Sequence, residues 1–155
     1  MADSSPVLVW IRRDLRLSDH AALHAAAQTG RPVIPVFIRD HTVDALGAAP
    51  KWRLGLGLDH HARALEEKGS RLILRAGPAR EVLEALLAET GAGTVFWQRA
   101  YDPASVERDT LVKSALKARG VAAQSFPGHL LFEPWSVQTK QGGFYKVYSP
   151  FWRAV

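Results

Sequence analysis

The 155-residue sequence has no cysteine and a single methionine. Without cysteine there is no disulfide and no thiolate metal site, which fits a cytoplasmic protein. No apolar run approaches the roughly 20 residues a membrane-crossing helix needs, so no membrane partner is expected. The opening Met1-Ala2-Asp3-Ser4-Ser5-Pro6 has neither a basic segment nor an apolar one, so it does not read as a secretory signal. Residues 1–6 are expected to be a disordered tail. The sequence also lacks a P-loop, an internal repeat, a low-complexity segment and a serine–histidine–acid set at nucleophile-elbow spacing. No paired carboxylates stand out. The expectation is therefore that the chain carries no catalytic residues and no metal site of its own.

What is present reads as one globular domain. Apolar residues make up 47% and charged residues 23%, and the length suffices for a real core. The net charge is +5, from 20 Lys and Arg against 15 acids. An excess of this size favours approach to phosphates, and it is also common in proteins with no nucleic-acid role.

Strand-like and helix-like runs alternate. Residues 7–11 (VLVWI) are continuously apolar, as a strand covered on both faces should be. Further strands are expected at 33–38, 71–75, 94–98 and 121–126. Pro35 removes one ladder donor from the second, which demotes it or marks a bulge. Between them the pattern predicts a helix capped by Ser18 or Asp19, one over 51–68 with Leu54, Leu58, Ala62 and Leu65 on one face, and one opened by Pro78 at its first position. The last runs from the cap Asp102 and Pro103 to about Arg119. Five strands with four intervening helices imply a doubly wound, five-stranded parallel sheet of Rossmann-like type with helices on both faces. Ligands of such sheets sit outside the carboxyl ends of the strands. Here those ends carry Arg12 to Arg16, Arg39 and Asp40, Ala76 and Gly77, Arg99 to Asp102, and Pro127 to His129.

Local motifs add little. Gly55-Leu56-Gly57 resembles the start of a dinucleotide fingerprint, but His60 replaces the third glycine and no βα turn precedes it. Close packing is the other use of two helical glycines. His20 and His24 have metal-ligand spacing without a third ligand, so solvent-facing or capping roles are expected instead. His60 and His61 point to different helix faces. The Arg12-Arg13-Asp14-Leu15-Arg16 cluster is the strongest signal. Three guanidiniums around one carboxylate suit anion binding or an ion-pair network that fixes a loop against a partner domain.

The segments VLVWIRRDLRLSDHAAL, RPVIPVFIRD, SRLILRAGPAREVLEAL, TVFWQRAYDPASVERD and SFPGHLLFEPWSVQTKQGGFYKVYSPFWRA, taken in order, resemble the N-terminal domain of the DNA photolyase/cryptochrome family. That resemblance implies an α/β domain over 7–130 that can carry an antenna chromophore (a folate, a deazaflavin or another flavin). It implies the start of an interdomain linker over 131–155, joining to a C-terminal all-helical domain that this sequence lacks. FAD, and contact with damaged DNA, belong to that helical domain of the full-length protein. The function so implied is the antenna part of a light-dependent DNA repair enzyme, a carbon–carbon lyase, with this stretch inactive alone. The alternatives are part of a cryptochrome photoreceptor, or a free-standing nucleotide-binding α/β domain.

Residue by residue, the resemblance places the antenna near Phe37, Arg39, Asp40, Lys51, Trp52 and Arg53. Lys51 stands where many relatives have arginine and lacks its planar fork. Ala104 and Ser105 replace the polar pair of folate-binding relatives, and Gln98 replaces a common asparagine. Arg12, Arg13, Asp14 and Arg16 are expected to face the partner domain, together with exposed Phe151 and Trp152. Trp10 and Trp97 are expected in the core.

Overall fold

All five residues of β1 (Val7–Ile11) are buried, and a strand covered on both faces belongs in the middle of a sheet. The computed structural model, which describes residues 4–155, places it there. The sheet order is β3-β2-β1-β4-β5, with β2 Val33–Arg39, β3 Ile73–Ala76, β4 Thr94–Gln98 and β5 Ala122–Phe126. Every pairing is parallel. The doubly wound fold expected from the sequence is the fold observed. Residues 1–3 of the expected tail lie outside the described residues.

Side-chain alternation along β1 divides the core. Leu8 and Trp10 join Trp97 of β4, Leu83 and Leu86 of α4 (Ala79–Thr90) and Leu116 of α5 (Pro103–Ala118). Val7, Val9 and Ile11 join Ala22 and Ala26 of α1 (Ala21–Gln28) and Phe96. The chain winds from β1 to β2 and β3 on one side, then to β4 and β5 on the other. The order reverses between β1 and β4, where side chains at the strand ends splay apart and leave a crevice.

Several local expectations change. The cap of α1 is His20, whose Nδ1 accepts from the Leu23 N–H at 3.1 Å, in place of Ser18 or Asp19. The helix expected over 51–68 is α3, Ala48–Glu66, and a four-residue α2 (His41–Asp44) precedes it. The buried residues of α3 are His61 and Leu65, because a polar network described below lies under His61. β3 starts two residues late and is largely exposed, as an edge strand can be. Pro78 is the N-cap of α4 and not its first residue. Pro35 sits in an interior strand, but the ladder to β3 begins only at Val36, so the strand is locally an edge there. Gly57 has a packing role: a Cβ there would lie 2.8 Å from Leu15. The segment over 131–155 is mostly irregular and ends in a short helix, α6 (Tyr148–Ala154).

Candidate functional site

The loop after β1 turns inward on Asp14. Its carboxylate is 1% exposed. Oδ1 accepts the Arg12 N–H at 2.7 Å, and Oδ2 lies 2.8 Å from His20 Nε2. Since Nδ1 of His20 accepts the helix-cap bond, its proton sits on Nε2, facing the carboxylate. That N–H is short but poorly aligned, so the contact is a buried charge–dipole attraction more than a good hydrogen bond. Fully buried Gln98 completes the hub: its amide nitrogen donates to Asp14 Oδ2 at 3.3 Å and its oxygen accepts from the Ala21 N–H at 3.2 Å. Burial by itself would raise the Asp14 pKa, but the contacts to His20 and the Arg12 N–H outweigh it and hold the carboxylate below its ordinary value. Against the expectation of an interdomain carboxylate, Asp14 is internal: it ties β1, α1 and β4 together.

A second chain of charges crosses the ends of β1 and β2 onto α5. Arg12 Nη1 donates to both oxygens of Asp109, at 2.9 and 2.7 Å, and its Nη2 donates to the Gln98 carbonyl. Arg108 donates to Asp109 and, at 2.9 Å, to Asp40. Asp40 also caps α2 through the Thr42 N–H and hydroxyl. Burial opposes the charge on Asp40, yet the Thr42 hydroxyl and the Arg108 guanidinium keep its pKa lowered. The two guanidiniums flank one ring, with Arg12 Cζ 4.9 Å and Arg108 Cζ 4.8 Å from the Trp10 centroid.

Trp10, Arg12, Asp40, Thr42 and Arg108 line a cleft at the carboxyl ends of the strands, with about 50 Å³ of room inside it. Phe37 and Ser105 line it too, and exposed Arg13 stands at the rim. Beside it runs a wider groove bordered by Arg13, Arg16, Arg53 and His60 over a floor of Leu15 and Leu54. Of the residues expected to hold an antenna, Phe37 and Asp40 lie in the cleft and Arg53 in the groove. Arg39 is exposed and paired with Asp44 at 2.7 Å. Lys51 and Trp52 are exposed on the first turns of α3 and line neither space. Ser105, set aside by the sequence reading, is buried in the cleft wall. Among the described residues no cluster could hold a metal ion.

Arg108, Asp109, Thr42 and His61 were missed as members of this region. His61 is buried and its Nε2 finds no partner among the described residues; burial pushes its pKa down, and His20 pushes it further. The helix pattern held no hint of Arg108, whereas His61 fell on the expected apolar face one residue from Ala62.

The chain beyond β5 is tied to the body at Gly128, whose carbonyl accepts from Arg16 Nη2 at 3.0 Å, and at Glu133. Arg99 Nη2 donates to Glu133 at 2.9 Å and Tyr101 Oη bonds the same carboxylate at 3.0 Å, while Trp135 lies under Arg99 at 5.7 Å. Phe151, expected to be exposed, is half-buried among Phe132 and Tyr145, each 6.3 Å away. Trp152 is 58% exposed, stacked on Tyr148.

A parallel doubly wound sheet with a charged, aromatic cleft at its switch point defines an α/β domain of the type that holds ligands at its strand ends. The chain belongs to the DNA photolyase family, whose sequence model matches residues 7–155. It is 49% identical to a deoxyribodipyrimidine photo-lyase of Agrobacterium fabrum over 98% of the chain and 32% of that protein. It is 35% identical to cryptochrome-2 of Arabidopsis thaliana over 94% of the chain and 24% of that protein. The crystal structure of a bacterial class III photolyase from Agrobacterium tumefaciens superposes with a TM-score of 0.93 at 49% identity, covering 98% of this chain and 32% of that one. The chain thus spans about a quarter to a third of the length of these relatives.

Proposed function

We propose that this chain is the chromophore-bearing domain of a light-dependent DNA repair lyase that acts on pyrimidine dimers. The higher identity to a photo-lyase than to a plant cryptochrome favours repair over photoreception. The observation that carries the antenna role is the cleft, where Trp10 and Phe37 meet Arg12, Arg13 and Arg108 at the switch point of the sheet.

That lining suits a flat conjugated group with anionic or carbonyl oxygens: a folate, a deazaflavin or a flavin. Phe37 offers apolar contact, and among the described residues Trp10 Nε1–H is buried without a partner and Arg13 makes no ion pair. Bound there, such a group would supply light absorption and excitation energy for a reduced FAD held elsewhere in the full-length protein. In this reading the exposed Leu131, Phe144 and Trp152 meet the helical FAD domain, since a patch of this kind marks a partner surface. Damaged DNA is met through the full-length protein, and the chain alone splits no dimers. No described helix is long and apolar enough to cross a membrane.

The test is to titrate methenyl-tetrahydrofolate, a deazaflavin and FMN into the chain and read induced circular dichroism of the chromophore. The expected result is that one of the three binds and that Arg13→Gln and Phe37→Ser each weaken it. Binding by none of them, or binding indifferent to both substitutions, would overturn the antenna assignment.

A further inference from the structure

The longest helix of the chain is poorly covered. Of the 19 residues of α3 only His61 and Leu65 are buried, whereas the 12-residue α4 buries four. Residues 48–53 are all exposed. Trp52 and Leu56, 68% and 46% exposed, form one stripe with Asp59 and Arg63, because steps of three and four residues keep to one side of a helix. Buried His61 is nine residues from Trp52, or two and a half turns, so the stripe faces away from the body. Lys51 and Trp52 line neither the cleft nor the groove beside it, so this face is separate from both.

Gly55 borders the stripe. A Cβ on Gly57 would strike Leu15, but a Cβ on Gly55 would meet nothing within 4 Å. An alanine would fit there and would favour the helix. Packing among the described residues therefore gives no reason for this glycine. Close approach of a second helix from outside gives one.

The charges indicate which helix approaches. The first half of α3 carries Lys51 and Arg53 and no acid. The second half carries Asp59 and Glu66, followed by Glu67 at the C-cap, against Arg63. A second α3 laid antiparallel across the first at Gly55 sets each cationic half against an acidic one, with Lys51 beside Asp59 of the other copy. Leu56 of each copy then fills the gap over Gly55 of the other, and Trp52 lies along the stripe opposite. A parallel pair would set like charges together. Tryptophan is also a residue type that anchors interfaces.

We propose that α3 is a self-association surface, through which two copies of this chain pair about a two-fold axis with their α3 helices antiparallel and crossing at Gly55. The helix is about 28 Å long at 1.5 Å per residue, so this pairing covers less than the roughly 1,200 Å² of a stable interface. The association is accordingly weak and reversible. It does not depend on the antenna reading, and it uses none of the residues of 131–155 read above as meeting the FAD domain.

The experiment is sedimentation equilibrium of the chain from micromolar to millimolar concentration, with thermal melts to check the fold of each variant. The expected result is a reversible monomer–dimer equilibrium. Trp52→Gln and Gly55→Gln should each weaken it by about tenfold. Gly55→Ala should raise the melting midpoint of the dilute monomer by about 2 °C and still weaken the dimer. Lys51→Glu and Asp59→Lys should each weaken it by about fivefold, since each reverses one member of both symmetry-related pairs. An equimolar mixture of those two variants should regain the original association, because the mixed dimer restores both pairs. A chain that stays monomeric throughout, or a dimer indifferent to Trp52→Gln and Gly55→Gln, would overturn the proposal. Two weakened charge variants that do not rescue each other would overturn the antiparallel pairing. A dimer of the chain that is abolished in the full-length protein would assign the α3 face to the helical FAD domain and overturn the pairing of copies.

Discussion

In β1 every residue is buried, whereas in residues 127–155 none is. All five β1 side chains are large and apolar, and so are twelve of the 29 in residues 127–155, yet none of those twelve is buried, so composition alone does not explain the contrast. Neighbours do. β1 has a strand on each side and a helical layer on each face, so its apolar area leaves water completely. The last stretch has polar anchors at the Gly128 carbonyl and at Glu133, a small ring cluster around Phe151, and Leu131 and Phe144 left 91% and 76% exposed. The body of the domain is stabilised by its own core and its internal polar hub. The last stretch takes little stability from the body and returns little to it.

Substitutions can break or sharpen that contrast. The largest effect should come from Trp97→Ala, which empties a fully buried site against Trp10 and should cost about 4 kcal/mol in urea unfolding. A loss below about 1 kcal/mol, the size of an ordinary surface change, would mean that the body is loosely packed. Next comes Asp14→Ala. It removes the partner of the Arg12 N–H, His20 and Gln98 in a buried site and should cost about 3 kcal/mol. Unchanged unfolding of the chain would instead return Asp14 to the role of an interface carboxylate.

Gly128→Ala probes the seam between the two regions. A Cβ there would collide with the Gln98 side-chain amide, and neither the amide nor the backbone can yield freely. A cost of about 1–3 kcal/mol is expected from overpacking, and it should shrink in a Gly128→Ala, Gln98→Ala double variant. If the two costs simply add, the seam is not packed as described.

The fourth prediction concerns pH. Burial lowers the His61 pKa in the folded state, so between that value and the ordinary imidazole value of about 6.5 the unfolded chain binds more protons. Stability is therefore full above about pH 6.5 and declines as pH falls through that window. His61→Gln should flatten the decline, leaving the part due to His129, which burial shifts the same way. An identical slope in the variant would show that His61 is not the group responsible.

The smallest effect is expected from Trp152→Ala. Its ring is mostly in water, so global stability should move by no more than about 0.5 kcal/mol. Glu133→Gln, by contrast, should raise amide exchange in residues 127–147 and leave the sheet protected, since it loosens the anchor to Arg99 and Tyr101. A sheet that also loses protection would erase the distinction between the regions.

Much of the body was legible from local pattern. The apolar runs 7–11 and 94–98 are β1 and β4. The helix expected after Pro78 is α4, and Asp102 caps α5 with Pro103 behind it. Periodicity and caps are short-range properties, so a one-dimensional reading finds them. The strand-end rule also located the cleft, with Asp40 and Arg12 at its wall. The membership of the site was not legible. Arg108 reaches Asp40 across 68 positions and Arg12 reaches Asp109 across 97. An arginine that bonds such partners looks, in sequence, like any exposed helix charge. The RRDLR cluster read as four like-placed residues, and the structure divides it: Arg12 and Asp14 turn in, Arg13 stays out, and Arg16 is held by carbonyl groups.

By itself, then, the order of residues determined the elements, the parallel winding and the end of the sheet where a ligand would sit, because alternating apolar runs admit few ways to bury themselves. The tertiary structure alone decided which charges pair, which histidine is dry and which cations remain unpaired at the groove. A buried charge is tolerated only with a partner at hydrogen-bond distance. That distance exists only once β1, β2, β4, α1 and α5 have been brought together.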